Sequence, residues 1–321
     1  MTISDSITDD LGLVDRYINR YLKHDISAIP RISRHLIRSG GKRIRPYLVI
    51  TTSRMFGVRA DAYVKVAAAV EMYHSASLLH DDVVDNAKQR RGSRSANDLW
   101  GNKSSVLVGD FLLAASSSIV ADMKNDDLLG TFIRVLSRMA EGELVQLGLS
   151  GNPGISQRDY YTIIKKKTAY LISLSCESGA ILGQAPDSVR NKMRQFGLLL
   201  GIAFQLIDDN IDYESSVRVS GKARGVDLKE GKITLPMIVA LSVAGRKERG
   251  LLTRALAGRL EDGISFEDVY GIIEKYHGFE YTKRRAGSFA HRAVDLLDGM
   301  PKSPELDELR GLARSIVERK S

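Results

Sequence analysis

Two long stretches of this sequence contain no proline, the residue that most strongly breaks helices. The chain has seven prolines, and none lies between Pro46 and Pro153 or between Pro186 and Pro236. The segment 58–91 also lacks glycine and is rich in residues of high helix propensity. Both proline-free stretches are therefore predicted to be helical.

Apolar residues near the C-terminus recur with the period of a helix. Ala286, Phe289, Ala290 and Ala293 fall on one face, and 306–316 repeats the pattern. Alternating strand patterns are scarce, and no linker or low-complexity run divides the chain. The sequence predicts an all-α fold, with one domain over residues 1–321 forming a bundle of long helices around a central cavity. Loops are predicted near 152–154, 186 and 219–232.

The charge balance favours anionic partners. Lys and Arg number 47 against 39 Asp and Glu, a formal net charge of +8, which leaves nucleic acid, phosphorylated metabolites and acidic membranes open. The single cysteine, Cys176, is interpreted as a buried, inert thiol. An acidic N-terminus and the lack of an apolar run of ~18 residues, the best being 198–207, predict a cytoplasmic protein without a transmembrane helix.

The strongest motif occurs twice, as DDVVD at 81–85 and DDNID at 208–212. In each copy the first and last aspartates lie one helical turn apart and share a face. Such carboxylates repel each other, so a divalent cation is their natural compensation, and oxygen ligands favour Mg²⁺ or Mn²⁺ over zinc. One copy alone would fit a solvated helix end equally well.

Both aspartate motifs follow apolar stretches, at 77–79 and 203–207. The carboxylates are therefore expected at the mouth of an apolar cavity rather than on an outer helix face. Carboxylates on either side of such a mouth would hold metal ions that bridge to a diphosphate.

Basic residues occur where a diphosphate would need them. GGKRIRP at 40–46 and RRG at 90–92 combine cationic side chains with glycines that permit close approach to an anion. Taken singly, 40–46 also fits a basic loop before a helix, and lone lysines fit solvated charges. Further phosphate-binding candidates are Lys167, Thr168, Lys222 and Lys232.

Two polar residues precede the aspartate motifs at helical spacing. His74 lies seven residues before Asp81, on the same side of the helix, and could donate to a diphosphate. Gln205 lies three residues before Asp208 and should reach the same cavity. A packing histidine and a core glutamine bonded to backbone are equally good interpretations.

In their order along the chain these motifs resemble the trans-polyprenyl diphosphate synthase family, whose hallmarks also include a late GKxTLP, here at 231–236. The resemblance runs from Gly40 to Pro236. It implies an isoprenoid synthase-like all-α fold, a homodimer, and Mg²⁺ as cofactor with Mn²⁺ as a substitute. One position departs from the family pattern: Asn210, the third residue of the second motif, is polar where the family commonly has an aliphatic residue.

Residue roles are carried over by position from the resemblance. The implied metal ligands are Asp81, Asp85 and Asp208. The implied isopentenyl diphosphate site comprises Lys42, Arg45, His74 and Arg91. The implied allylic diphosphate site comprises Arg90, Lys167, Thr168, Gln205, Lys222 and Lys232. The implied catalytic set comprises Asp81, Asp82, Asp85, Asp208, Asp209, Asp212, Lys167 and Lys232.

The resemblance implies condensation of isopentenyl diphosphate with an allylic diphosphate, either farnesyl or geranylgeranyl, to an all-trans chain. This reaction needs no Ser or Cys nucleophile. A terpene cyclase would not use a second diphosphate site, and a nucleic-acid-binding protein would not explain the aspartate pairs. A non-catalytic subunit of a heteromeric synthase stays an alternative. A peripheral membrane contact at product release is a further expectation.

Small residues before the first motif predict a long product. Ser77 and Ala76 lie four and five residues before Asp81, about 6 to 7.5 Å along the helix, where a short-chain synthase would place an aromatic ring. Tyr73 lies deeper and Phe132 is expected to help form a floor. By resemblance the product has about eight to ten prenyl units, for a quinone side chain. A shorter farnesyl or geranylgeranyl product, and simple helix packing by the small residues, are the alternatives.

Overall fold

The computed structural model describes residues 5–214, 225–258 and 263–318, which are mainly helical. A hairpin pairs β1 (Gln89–Arg90) with β2 (Ser93–Arg94), and a π-helical turn covers Lys165–Ala169. The helices are α1 Asp5–Tyr21, α2 Ala28–Arg38, α3 Ile44–Met55, α4 Ala60–Val84, α5 Ala96–Trp100, α6 Asn102–Ala121, α7 Asp126–Leu149, α8 Gln157–Ile164, α9 Tyr170–Leu182, α10 Asp187–Glu214, α11 Val226–Lys229, α12 Leu235–Val243, α13 Arg246–Leu256, α14 Phe266–Lys275, α15 Gly278–Leu296 and α16 Pro304–Glu318.

The predicted all-α fold is confirmed. Loops occur at 152–154 and at Pro186, as predicted. The predicted loop at 219–232 contains the one-turn helix α11 in its described part.

The helix predicted over 58–91 is shorter than expected, because α4 ends at Val84. Asn86 and Arg91 adopt left-handed backbone with φ of 50° and 51°, which interrupts a right-handed helix. The chain then forms the β1–β2 hairpin. The RRG motif therefore lies on a hairpin rather than on the end of a long helix.

The chain forms two compact units. The first comprises Met1–Val135, Leu171–Arg194 and Gly299–Leu309. The second comprises Leu136–Tyr170, Gln195–Asp298 and Arg310–Ser321. The predicted single domain over residues 1–321 stays a prediction.

Helix α4 packs against α1, α3 and α6 in the first unit. Its stretch 66–70 reads Val-Ala-Ala-Ala-Val and is fully buried. Alanines let neighbouring helices approach closely. A Cβ on Gly109 of α6 would overlap the ring of His80, so the glycine permits a close contact one residue before Asp81.

Tyr213 lies at the centre of the core of the second unit. Its ring stacks on Phe266 with centroids 6.0 Å apart and contacts Phe279 at 5.6 Å. The Thr234 hydroxyl donates to the Tyr213 hydroxyl at 3.2 Å. Since Tyr213 directly follows the second aspartate motif, this bond ties that motif to the segment carrying Lys232.

Helix α6 corrects one expectation from the sequence. It is 20 residues long, with a mean hydropathy of 1.6 over its most apolar window, of which 44% is buried. By length and composition alone it is long and apolar enough to cross a membrane, whereas the sequence had predicted that no segment would meet this criterion. The prediction counted consecutive apolar residues, and the serines and Asp110 of α6 interrupt such a run.

Candidate active site

The first aspartate motif forms the C-terminal end of α4. Asp81 and Asp85 are half-buried, whereas Asp82 is fully buried. The Asp85 backbone N–H donates to the Asp81 carbonyl at 2.8 Å, which continues the helical turn as far as Asp85. The outer two aspartates therefore lie one turn apart at a helix end, and the middle one points into the protein.

Asp82 holds the first arginine of the RRG motif. Arg90 donates from Nε at 2.6 Å and from Nη2 at 2.5 Å to Asp82 Oδ1. Hydrogen bonds between two charged groups are among the strongest in proteins. Arg90, predicted for the allylic diphosphate site, thus contacts the buried carboxylate of the first motif and fixes the hairpin to α4.

A small pocket in the first unit brings together two predicted isopentenyl diphosphate residues. His74 and Arg91 line it together with Gly40 and Arg43. The Arg91 guanidinium lies over Gly41, where a Cβ would be 2.9 Å from Nη1. A side chain at position 41 would therefore displace the Arg91 guanidinium from this approach.

Arg43, inside the GGKRIRP motif, forms a partly buried ion-pair network. It donates to Glu71 at 2.5 Å and lies 3.2 Å from Asp15. Its backbone is left-handed, with φ of 50°. Such backbone is strained for a residue with a side chain, so the ion pairs hold a loop conformation that places Lys42 and Arg45 on either side of Arg43.

The environment of His74 keeps its ring neutral at neutral pH. Burial, followed by the nearby charges of Arg45, Arg91, Arg90 and Arg43, lowers the pKa of His74 well below its usual value. A neutral imidazole has one N–H donor and one acceptor. The clustering of arginines around His74 makes this pocket electropositive.

The second aspartate motif repeats the arrangement of the first on α10. Asp208 and Asp212 are half-buried, and Asp209 is only 3% exposed. The Tyr160 hydroxyl donates to Asp209 Oδ2 at 2.5 Å, and the Gln205 amide donates to Oδ1 at 2.9 Å. Both oxygens of the middle aspartate therefore accept hydrogen bonds from the protein.

Burial dominates the acid–base properties of this carboxylate. It raises the pKa of Asp209 well above the usual value, and the nearby Asp227 raises it further. The hydrogen bonds from Tyr160 and Gln205 oppose the shift. Burial and Asp209 raise the pKa of the Tyr160 hydroxyl, so that hydroxyl keeps its proton.

A pocket of about 120 Å³ in the second unit adjoins this motif. It collects four of the six residues predicted for the allylic diphosphate site, namely Lys167, Thr168, Gln205 and Lys232. Lys222 lies outside the described residues, and Arg90 is held by Asp82. Tyr160, Asp209 and Asp227 also line the pocket.

Lys167 and Thr168 lie on the π-helical turn, the kind of irregularity that often marks functional sites. Two glycines make room for it. A Cβ on Gly142 would be 2.7 Å from Lys166 Cβ, and one on Gly201 would be 2.6 Å from Ala169 Cα. The turn is therefore clamped by close backbone contacts with α7 and α10.

Glutamates accompany both lysines of the pocket. Lys167 pairs with Glu143 at 2.8 Å, and Lys232 pairs with Glu230 at 2.7 Å. Asp212 Oδ2 accepts the backbone N–H of Asp227 at 3.2 Å. The last aspartate of the motif thus fixes the segment that leads to Lys232.

Sequence reasoning missed Tyr160, Asp227 and the Arg43–Glu71 pair. Tyr160 lies seven residues before Lys167, two helical turns away, but a tyrosine in a stretch of mixed polar and apolar residues gives no distinct signal. Asp227 stands five residues before Lys232, in a segment whose pattern predicts a loop. Glu71, a lone acid in the apolar stretch before the first motif, is the signal that could have been used.

The residues predicted to set product length lie together in the first unit. Ala76 is 1% exposed and Phe132 is fully buried. The rings of Tyr73 and Phe132 meet edge to face, with centroids 6.2 Å apart. Ser77 is half-buried and donates to the His74 carbonyl at 2.9 Å.

Asn210 faces the core rather than the outer aspartates. Its amide donates to the Phe279 carbonyl at 3.0 Å. Its Oδ1 is buried and has no hydrogen-bond partner among the described residues. The asparagine side chain at this position therefore binds the start of α15.

The outer aspartates fit a hard divalent cation. Each motif offers two half-buried carboxylates one turn apart, while the middle carboxylate is engaged by protein donors. Mg²⁺ is characteristically bound by one or two carboxylates together with waters and substrate phosphates. Within 5–214, 225–258 and 263–318, no cluster of three or more His, Cys, Asp or Glu side chains forms a ready metal site.

A mainly helical fold with two aspartate motifs, each in a unit that also has a pocket with basic side chains in its lining, defines a class of enzymes acting on prenyl diphosphates. The chain belongs to the polyprenyl synthetase family, whose sequence profile matches residues 27–273. It is a prenyltransferase.

Similar proteins match over nearly the full chain. The all-trans-nonaprenyl-diphosphate synthase (geranyl-diphosphate specific) of Rhodobacter capsulatus is 36% identical over 315 residues, covering 98% of this chain and 96% of that protein. The octaprenyl diphosphate synthase of Haemophilus influenzae is 34% identical over 312 residues, covering 97% and 94%. A polyprenyl synthase from Caulobacter crescentus, crystallised with calcium and isoprenyl diphosphate, has a TM-score of 0.93 at 36% identity, covering 98% and 96%.

Proposed function

We propose that this chain is a Mg²⁺-dependent, long-chain, all-trans polyprenyl diphosphate synthase. It adds isopentenyl diphosphate units to an allylic diphosphate until the product has about eight to ten prenyl units, suited to a quinone side chain. The observation that carries the proposal is the presence of two pockets lined by basic side chains, each in a unit that also has a DDxxD motif. A condensing enzyme binds two diphosphates, whereas a cyclase binds one.

The pocket of the first unit is the proposed isopentenyl diphosphate site. Arg91 and neutral His74, which line the pocket, bind the diphosphate, and Lys42 and Arg45 join them by family position. Arg43 orders the segment that carries Lys42 and leads into α3, where Arg45 lies. This pocket binds the substrate whose double bond attacks.

The pocket of the second unit is the proposed allylic diphosphate site. Its binding residues are Lys167, Thr168, Gln205 and Lys232, with Arg90 and Lys222 completing the set by family position. The lysines exchange their glutamate partners for diphosphate oxygens. Held this way, the diphosphate is oriented as a leaving group.

Asp81, Asp85 and Asp208 are the proposed ligands of Mg²⁺, and Mn²⁺ is the proposed substitute. When bound, the metal supplies positive charge that stabilises the departing diphosphate. Asp82 and Asp209 keep their hydrogen bonds from protein donors and hold the adjacent motif aspartates in position. Apolar side chains around the reacting carbons exclude water, and the diphosphate accepts the proton lost after condensation.

We further propose a homodimer that acts in the cytoplasm, binds no nucleic acid and contacts the membrane peripherally when it releases product. Farnesyl and geranylgeranyl diphosphates are the proposed primers. The name of the R. capsulatus relative adds geranyl diphosphate as a third primer to compare.

The test uses the purified chain alone with labelled isopentenyl diphosphate, each primer in turn, and Mg²⁺. We expect label in all-trans products, no incorporation in EDTA, and recovery when Mg²⁺ is restored. Incorporation that persists in metal-free buffer would contradict the metal role. Activity that appears only with a second polypeptide would favour the alternative of a subunit of a heteromeric synthase, and products of three or four units would favour a short-chain synthase.

A further inference from the structure

A continuous chain of hydrogen bonds runs beneath the pocket of the second unit. Tyr160 donates to Asp209 Oδ2 at 2.5 Å, and Gln205 Nε2 donates to Asp209 Oδ1 at 2.9 Å. Thr168 donates to Gln205 Oε1 at 2.8 Å. Tyr160 lines the pocket but is 2% exposed, and its hydroxyl proton is used by Asp209. We call Tyr160–Asp209–Gln205–Thr168 the inner chain.

The hydrogen bonds of the inner chain fix one orientation of the Gln205 amide. Gln205 Nε2 donates to Asp209 Oδ1, so the amide points its NH₂ group at Asp209. Gln205 Oε1 then points at Thr168, whose single hydroxyl proton goes to it. The orientations of two pocket residues, Gln205 and Thr168, are thus set from Asp209.

Tyr160 supplies the second hydrogen-bond donor to Asp209. Its hydroxyl is the donor on the side of Asp209 away from Gln205, and without it a buried carboxylate keeps only one of its two donors. Tyr160 also lies on α8, which leads directly into the turn carrying Lys167. One hydroxyl therefore connects the Lys167 turn with the second aspartate motif.

We propose that Tyr160 is a positioning residue for the allylic diphosphate: its hydroxyl, bonded to Asp209, acts through Asp209 to fix the Gln205 amide, whose second N–H is the donor to the diphosphate. The inference rests on the proposed function. Its alternative is a tyrosine that only fills the core, whose loss would lower stability without favouring either substrate.

The adjacent tyrosine provides a matched control. Tyr161 lies on the same helix and is half-buried, but its hydroxyl accepts from Arg285 at 3.3 Å, outside the inner chain. Tyr160→Phe and Tyr161→Phe each delete one hydroxyl and keep the ring. Asp209→Asn is a second variant, because an amide presents NH₂ to one of the two donors and so breaks the chain at the same place.

The experiment measures dissociation constants of a non-hydrolysable allylic diphosphate analogue by calorimetry with Mg²⁺, together with KM for both substrates. Tyr160→Phe and Asp209→Asn should weaken allylic binding about tenfold and change the isopentenyl diphosphate KM less than about twofold. Tyr161→Phe should change neither by more than about twofold. In a Gln205→Ala background, Tyr160→Phe should cause little additional loss, because the amide through which Tyr160 acts on the substrate is already absent.

Unchanged allylic binding in Tyr160→Phe, equal losses for both substrates, or full additivity with Gln205→Ala would overturn the inference. Wild-type protein that binds no allylic analogue and makes no product would instead overturn the proposed function. Far-ultraviolet circular dichroism and thermal midpoints of every variant identify any loss of fold.

Discussion

At the scale of single residues, the two aspartate motifs have the same arrangement of buried and half-buried carboxylates. Asp82 and Asp209 are buried and accept hydrogen bonds from Arg90, or from Tyr160 and Gln205. The outer aspartates stay half-buried. The spacing predicted that the outer pair would share a face, but it could not identify the inward partners, which lie on other elements.

The first prediction concerns His74. Its pKa is depressed in the folded protein, so below its unfolded value of about 6.5 the unfolded chain takes up a proton that the folded chain does not. Stability from this residue is therefore present above about pH 6.5 and lost as pH falls. Between pH 7.5 and 5.5, wild type should lose about 1 kcal/mol more unfolding free energy than His74→Gln in denaturant titrations. Parallel losses would contradict a neutral, buried His74.

The second prediction concerns Asn210. Asn210→Leu loses the bond to the Phe279 carbonyl but also removes a buried oxygen without a partner among the described residues. The two effects oppose each other, so unfolding free energy should change by less than about 1 kcal/mol and turnover by less than about tenfold. Asn210→Asp, which buries a charge at the same place, should destabilise by several times more, about 3 kcal/mol. A large loss of turnover in a stable Asn210→Leu protein would make Asn210 part of the site.

At the scale of elements, proline spacing and helical periodicity predicted the all-α architecture and the buried face of α16. They did not predict the hairpin after α4 or the π-helical turn. Both irregularities depend on contacts with distant residues: the hairpin is held by Arg90 on Asp82, and the turn fits between Gly142 and Gly201. Local propensity contains no information on such contacts.

The third prediction tests the clamp on the π-helical turn. Gly142→Ala should push against Lys166 and the Lys167 backbone, costing about 1 to 3 kcal/mol in stability and raising the allylic KM about tenfold. Gly148 lies on the same helix, and a Cβ there would have no described atom within 4 Å. Gly148→Ala should leave KM unchanged and stabilise by up to about 1 kcal/mol. Equal behaviour of the two variants in thermal unfolding and kinetics would argue against a clamp.

At the scale of the whole molecule, each unit has its own aspartate motif and a pocket with basic side chains in its lining. Two of the four residues predicted for the isopentenyl diphosphate site and four of the six predicted for the allylic site line these pockets, and their roles stay predictions. The sequence did not predict Asp227, Tyr160 or Glu71, because their contacts form only in the folded chain.

The fourth prediction separates the two substrates. Arg91→Ala should raise the KM for isopentenyl diphosphate about tenfold, and Lys232→Ala should act mainly on the allylic substrate, since each removes a phosphate contact from one pocket. Steady-state kinetics with one substrate varied at a time measures both. Indistinguishable effects on the two substrates would refute the assignment of the pockets.

The fifth prediction concerns the length of the product. Ala76 is buried on α4, one helical turn after Tyr73, whose ring meets Phe132 edge to face. A long product requires the small side chain of Ala76 to leave room for a growing chain. Ala76→Tyr should fill that room without touching the diphosphate pockets, and Ala76→Ser serves as the small control. Thermal midpoints establish that each variant is folded.

The most direct measurement is chromatography of the products that wild type, Ala76→Tyr and Ala76→Ser make from labelled isopentenyl diphosphate and a farnesyl primer. The account predicts about eight to ten prenyl units for wild type and Ala76→Ser, and about three or four for Ala76→Tyr with the first condensation intact. A wild-type product of three or four units, or an Ala76→Tyr product of parental length, would contradict it.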